Sequence, residues 1–433
     1  MNKNSIFKSF IILVLTFIIS MFIHIKYQCS LFFLIELVSI ILFILFSIFK
    51  YKDRFNPIFF ILYTSVLGIL DVIFVALNIR NVNRHYDIEI YEKALLIIVV
   101  WIILFLFSYK ITRVKKKMNN KKDKTINENT VKFILIINLI VYLFIIYKIL
   151  STISILGFNN AITNSAIFRY NNQGYLLSLL NLSGIIPICL IELKHKKTAV
   201  FSILFMIIII FLTGRRGLII NSIIIPVAIY YNYKIRTITN KKMILVLILC
   251  SALILFIGNI RGQESDVESN SVVTKALTNL TLSTQLGENL PDTIYALDNN
   301  KVNYLGNKYI FNGILGLIPR SIWNDKPSLV DHSMIVSEEI YKIKTYGRPI
   351  GAYGYSYLCF SWVGVIITSI LSGVFAKIVY QKMLNNFDFL SIFIYAISIN
   401  YIINFIKPES IINLFLIVIL GLLIKLFTYL TNK

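Results

Sequence analysis

Arginine is the residue whose type and spacing in this chain point most directly to chemistry. Its planar guanidinium grips a phosphate or a carboxylate through two parallel hydrogen bonds, which a lysine ammonium cannot do. Arg215 and Arg216 stand in the hairpin Thr213-Gly-Arg-Arg-Gly217, which joins two apolar runs with almost no loop. The flanking Gly214 and Gly217 permit a tight turn and close approach of a ligand. Arg261 leaves another apolar run in Ile257-Gly-Asn-Ile-Arg-Gly262, and Arg169 precedes a further one. Charge-assisted hydrogen bonds are worth about 1.5–3 kcal/mol each, so three or four such side chains would hold a diphosphate. The alternative use of these positions is snorkelling, in which the cation simply reaches the headgroup layer.

A second group of candidates lies in residues 260–352. The stretch Gly313-Ile-Leu-Gly-Leu-Ile-Pro-Arg-Ser-Ile-Trp-Asn-Asp-Lys-Pro327 contains two prolines, Pro319 and Pro327. These prevent a continuous helix and present Arg320, Trp323 and Lys326 on a rigid turn. Tryptophan beside cations suits a sugar site, and it equally suits an anchor at a membrane surface. Asp331, His332, Glu338 and Glu339 follow as candidate proton acceptors, and His332 has the side chain whose pKa fits that task near neutral pH. Arg348 precedes Gly351-Ala-Tyr-Gly-Tyr-Ser-Tyr357, which leads into the next apolar run and includes Tyr353. The four histidines and four cysteines are scattered without ligand spacing, so neither a metal nor any other cofactor is expected.

The elements that must position these residues are membrane spans. The chain has 433 residues, of which 57% are hydrophobic and 15% charged. A soluble protein would be about one quarter charged. A bilayer core about 30 Å thick takes about 20 apolar residues of helix. Runs of that kind fall near 6–25, 30–49, 57–77, 94–111, 131–149, 174–192, 198–213, 217–233, 243–259, 353–376, 388–405 and 410–429. The predicted fold is therefore all-α, a polytopic membrane protein of about 12 transmembrane helices. Nine lie in residues 1–259, an extracytoplasmic loop with short interfacial helices covers 260–352, and three more occupy 353–433. Within that loop the apolar spacing predicts an amphipathic helix over 272–282 and a second short helix starting at Pro291. Glu36 and Asp71 sit inside apolar runs, where a carboxylate is a functional candidate or a packing partner.

Orientation follows from the basic residues. Lys+Arg total 43 against 21 Asp+Glu, and this excess reads as topology, since the basic groups sit in short links and not on a soluble face made for nucleic acid. The 110–132 link carries nine Lys and Arg residues and belongs in the cytoplasm by the positive-inside bias. Alternation then makes 50–56, 193–198, 234–242 and 377–387 cytoplasmic, each independently basic, with both termini on the same side. The arginines run against this bias. Eight of the eleven, Arg80, Arg84, Arg169, Arg215, Arg216, Arg261, Arg320 and Arg348, fall outside. Lysine would serve topology as well, so an external excess of forked cations points to a phosphorylated ligand.

The Thr213-to-Gly217 hairpin, the segment Leu317–Pro327 and the Gly351-to-Gly364 stretch resemble those of the oligosaccharide repeat-unit polymerases, the Wzy-type O-antigen or capsule polymerases. The resemblance covers residues 200–380 by motif and the remainder by hydropathy. It implies a fold like that of lipid-phosphosugar glycosyltransferases in a bacterial cytoplasmic membrane. It also implies a glycosyltransferase activity: an undecaprenyl-diphosphate-linked glycan is transferred, at the outer face, to an incoming lipid-linked repeat unit. Arg215, Arg216, Arg261 and His332 are then expected in catalysis, and Arg169, Arg320, Trp323, Lys326, Arg348 and Tyr353 in substrate binding. The expected partners are the lipid-linked oligosaccharide, the bilayer, a chain-length regulator and a flippase, with no nucleic acid. The alternatives are an O-antigen ligase, which shares the donor, and a lipid-linked oligosaccharide flippase or transporter.

The topology is checked by cysteine labelling in a variant whose four native cysteines are replaced by serine. In intact spheroplasts a membrane-impermeant maleimide should label a cysteine at Asn299 and leave one at Asn119 untouched until the membrane is opened.

Overall fold

The computed structural model describes residues 53, 55–76, 86–114, 128–156, 180, 182–212, 219–235, 238, 289–306, 323, 332–342, 350–403 and 408–431. Among them every regular element is helical. In order these are α1 (Pro57–Ala76), α2 (Ile88–Ile111), α3 (Glu128–Leu156), α4 (Ile185–Glu192), α5 (Lys196–Leu212), α6 (Ile225–Tyr230), α7 (Leu290–Asp298), α8 (His332–Tyr341), α9 (Ala352–Asn386), α10 (Phe389–Ile403) and α11 (Pro408–Thr431). The predicted spans near 6–25, 30–49 and 243–259 and the predicted helix at 272–282 lie outside the described residues.

Local sequence explains several boundaries. α1 starts where Asn56 accepts the Ile58 N–H at 3.0 Å through its side chain and Pro57 takes the first helical position, a standard pairing of cap and pre-set φ. Around α6 the helix widens into π turns at Ile219–Ile224 and Tyr231–Ile235. Pro226 lies in this stretch, and a proline that cannot donate a helical hydrogen bond is one recognised source of such irregularity.

Three described helices, Ile88–Ile111, Glu128–Ser151 and Ala352–Asn386, are long and apolar enough to cross a bilayer. Outward faces are apolar as well: Ile140, Leu143 and Tyr147 on α3, and Val200, Phe201 and Leu204 on the neighbouring α5, are exposed. In water such faces would be a liability; in lipid they are solvated.

The core of the bundle is the contact of α2 with α9. Along α2 a ladder of rings, Trp101 on Phe105 at 5.4 Å and Phe105 on Tyr109 at 6.1 Å, is buried. Opposite lie the small residues Thr368, Ser369, Ser372, Gly373 and Ala376 of α9, all buried. Small residues let helix backbones approach where no water is available to drive them together. At Gly373 the approach is closest: a Cβ there would stand 2.1 Å from Ser108 Oγ and 2.5 Å from the Phe105 carbonyl oxygen.

The helix ends sort by chemistry. Asp53, just before α1, accepts hydrogen bonds from Tyr233 at 2.8 Å and from Tyr380. Asn56 accepts from Tyr109 at 3.2 Å, Glu192 from Tyr230, and Glu128 lies within electrostatic reach of Lys194 and His195. The described edges of the links near 50–56, 110–132, 193–198, 234–242 and 377–387 therefore gather at one basic end of the bundle.

One apolar run departs from its predicted form. The run at 353–376 is predicted as a single span, but the backbone of α9 leaves helical geometry at Phe360 (φ −147°, ψ 32°) and Ser361 (φ 54°, ψ −139°). The two limbs, 352–359 and 362–386, fold against each other. Thr368 Oγ1 donates to Ser356 Oγ at 2.9 Å, although residues twelve apart on a straight helix stand about 18 Å apart. Gly364 makes the reversal feasible, because a Cβ there would meet the Ser356 carbonyl oxygen at 2.1 Å. Hydropathy cannot detect this break, since both limbs are apolar.

Gly373→Leu should destabilise the bundle by at least about 1–3 kcal/mol, the usual penalty of overpacking, read as a lower thermal midpoint in detergent. Leu371→Val, on the exposed side of the same helix, should leave the midpoint near that of the parent.

Candidate functional site

Non-helical backbone at the depth of a bundle is tolerated where protein covers it or where it lines a polar space. The α9 reversal meets the same requirement at the roof of the bundle. The short limb 352–359 ends with carbonyls that lack helical partners, and two of them are capped by the segment after α7: Leu305 N–H donates to Leu358 O at 3.0 Å and Gly306 N–H to Cys359 O at 2.9 Å. Ser361 holds a positive φ, a conformation that costs a non-glycine residue on the order of 1–3 kcal/mol and tends to mark functional sites.

α7 itself is not a loose surface helix. It begins at Leu290 with Pro291 in its first turn, as predicted, and Leu290, Asp292, Thr293, Ile294 and Leu297 are buried against α2 and α9. Asp292 is held by Tyr86, whose hydroxyl donates at 2.6 Å, and the Tyr86 ring lies tilted against Tyr295 at 4.7 Å. At the far end of α7, Asp298 pairs with Lys93 of α2 at 2.7 Å. The Lys93 ammonium also stands 5.3 Å from the centre of the Tyr357 ring. Tyr357 meets Tyr304 edge-on at 6.3 Å and Trp362 edge-on at 6.0 Å. The end of the bundle opposite the basic links is thus roofed by α7, the segment 301–306 and the α9 reversal, with α8 packed on α7.

The sequence-predicted residues distribute as follows. Trp323 is exposed. Tyr353 is fully buried: its hydroxyl hydrogen-bonds Ser65 of α1 at 2.7 Å and its ring meets Trp101 edge-on at 5.3 Å, which joins α1, α2 and the short limb of α9. His332 opens α8; the placement of its side chain, like the residues Arg169, Arg215, Arg216, Arg261, Arg320, Lys326 and Arg348, lies outside the described residues. Of the intramembrane carboxylates, Asp71 falls within α1, its side chain outside the description, and Glu36 lies outside altogether.

Sequence reasoning missed Lys93, Asp298, Tyr304 and Ser361. Lys93 stood one residue before the predicted span at 94–111, whereas α2 begins at Ile88 and carries it in its second turn. Asp298 and Tyr304 have no motif, and only the packing of α7 against α2 gives them partners.

A family model described as O-antigen polysaccharide polymerase Wzy matches residues 5–433 of the chain. No curated protein and no solved structure matches it.

The buried position of Tyr353 yields a stability prediction. Tyr353→Phe should cost about 1 kcal/mol, the net worth of one hydrogen bond, because Ser65 keeps its bond to the Ile61 carbonyl. Tyr353→Ala should cost about 3–5 kcal/mol, as for a large core side chain. Thermal unfolding in detergent measures both.

Proposed function

The chain belongs to the O-antigen polysaccharide polymerase Wzy family, and from that premise we propose where and how it polymerises lipid-linked repeat units. The reaction takes place at the end of the bundle opposite the basic links, which is the outer face of a bacterial cytoplasmic membrane with both termini in the cytoplasm. The donor is a glycan on undecaprenyl diphosphate. A hydroxyl of the incoming repeat unit attacks the anomeric carbon of the donor, the bond to the diphosphate oxygen breaks, and the lipid diphosphate departs with the electron pair. The hydroxyl proton passes to a base, for which His332 is the candidate.

The observation that carries this reading is that the described edges of the lysine-rich links meet at one end of the bundle, Asp53 with Tyr233 and Tyr380, Asn56 with Tyr109, and Glu192 with Tyr230. Lysine-rich links gather at one end. The links bearing Arg80, Arg84, Arg169, Arg215 and Arg216 leave described helices at the other end, after α1 and α3 and between α5 and the π turn before α6. Arg320 and Arg348 are assigned to the same side because they fall in chain order between α7 and α9. Oriented donors aimed at charge that develops on a leaving group lower a barrier more than uniform binding does. Arg215, Arg216 and Arg261 are assigned to the departing diphosphate, and Arg169, Arg320, Trp323, Lys326 and Arg348 to the surrounding phosphate and sugar. Tyr353 supports this site from beneath as a positioning residue. The nine spans of 1–259, the outer segment 260–352 and the three apolar segments of 353–433 are read in this frame, the third of these beginning with the re-entrant limb 352–359. A separate chain-length regulator and a flippase complete the assembly as partners.

Arg215→Lys and Arg216→Lys test the assignment. A point charge retains attraction but loses the two-pronged grip, so at least one of these variants should lose tenfold or more of polymer formation, about 1.4 kcal/mol of barrier. The readout is the ladder made by purified protein from lipid-linked repeat units, at matched protein level. Normal ladders from Lys and Ala variants at Arg215, Arg216 and Arg261 alike would defeat the assignment.

A further inference from the structure

The roof of the bundle carries a cluster that the arginine assignment does not use. Lys93 and Asp298 form an ion pair at 2.7 Å whose side chains remain 29% and 36% exposed. Beside it Tyr304 is 47% exposed and meets Tyr357 edge-on, and Tyr357 in turn meets Trp362 edge-on. Phe360, at the reversal, is also exposed. The cluster is locked in place from three directions. α2 supplies Lys93, the end of α7 supplies Asp298, and the backbone bonds of Leu305 and Gly306 to Leu358 and Cys359 fix Tyr304 against the short limb of α9.

From this geometry we infer that Lys93, Asp298 and Tyr304 form a subsite for a neutral pyranose of the repeat-unit glycan. The inference rests on the outer-face reading above. An exposed aromatic face receives the C–H side of a sugar ring, and the adjacent polar pair takes two neighbouring hydroxyls, one donating to the Asp298 carboxylate and one accepting from the Lys93 ammonium. Other occupants fit less well. A polyprenyl tail has no use for a half-exposed ion pair. A diphosphate or an acidic sugar would be repelled by Asp298, and the ion pair offers no net charge to attract one. The pair is also preformed, so ordering it costs little when the sugar binds. Tyr357 is a positioning residue: it is buried, its ring lies 5.3 Å from the Lys93 ammonium and it meets Tyr304 edge-on.

The test uses the full-length protein in detergent and, as probe, the free oligosaccharide repeat unit released by mild acid from the cell's own lipid-linked intermediate. This probe carries neither lipid nor diphosphate. Binding is measured by calorimetry, and the acceptor KM and kcat are measured with lipid-linked units. Tyr304→Ala and Asp298→Asn should each weaken binding of the free oligosaccharide by about tenfold, equivalent to about 1.4 kcal/mol, with the kinetic loss falling on KM more than on kcat. Tyr304→Trp, which keeps a stacking face, should retain binding within about threefold, which separates loss of the platform from loss of fold. Whichever of Arg215→Lys and Arg216→Lys loses polymer should still bind the free oligosaccharide as the parent does, so the two assignments fail separately. Parent-like oligosaccharide binding and KM in both Tyr304→Ala and Asp298→Asn would overturn the subsite. So would a loss in Tyr304→Trp as large as that in Tyr304→Ala.

Discussion

A helix that reverses against its own apolar bundle must find partners for the backbone groups it releases, because apolar neighbours supply none. At Phe360 and Ser361 this chain meets that requirement with its own distant sequence. The N–H groups of Leu305 and Gly306 cap the short limb of α9, and the Thr368 hydroxyl bridges Ser356 and the Trp101 indole. Much of the roof depends on this solution. The segment 301–306 can cap the limb only because α7 is buried against α2 and α9, and α7 stays buried because Asp292 and Asp298 are paired with Tyr86 and Lys93. The strain at Ser361 is the cost of turning there, and it is borne by contacts made on three other elements.

The two ends of the bundle use aromatic hydroxyls for different ends. At the basic end, Asp53 gathers Tyr233 and Tyr380 while Tyr395 bonds the Phe55 carbonyl. This ties the start of α1 to the ends of α9 and the α6 stretch and to α10, and leaves no aromatic face turned outward among those rings beyond partial exposure. At the opposite end Tyr304 shows much of its face to the outside. One cluster is a lock and the other a platform, although both are built from tyrosine and a carboxylate. The difference lies in burial: a buried ring spends its faces on packing, and an exposed ring keeps one for a ligand.

For a polymerase that acts on lipid-linked substrates, this division has a mechanical sense. The glycan must be held while a diphosphate leaves, and a site that ends in a rigid roof holds it with little entropic cost at the moment of transfer. The chemistry proposed for the arginines and the sugar contact proposed for the Lys93–Asp298–Tyr304 cluster are both assigned to the end of the bundle opposite the basic links.

The sequence by itself determined the class of the molecule, since apolar runs of bilayer length and low charge leave few other solvents for the chain. It determined the gathering of basic links, because each link is basic on its own, and α1 and α5 were legible from apolar runs of bilayer length and the short helix at Pro291 from apolar spacing. The family resemblance was legible from three short motifs. What the sequence did not contain was the reversal in α9, the burial of α7, or the meeting of Lys93 with Asp298 more than two hundred residues away. Tyr353 shows the limit most plainly: its neighbourhood of tyrosines and glycines reads as an exposed approach to a span, and packing makes it the buried link between α1 and α2. Hydropathy is a property of each residue in turn, whereas a reversal, a buried hydroxyl and an ion pair exist only through partners supplied by other helices, and those partners are chosen by the packing of the whole bundle.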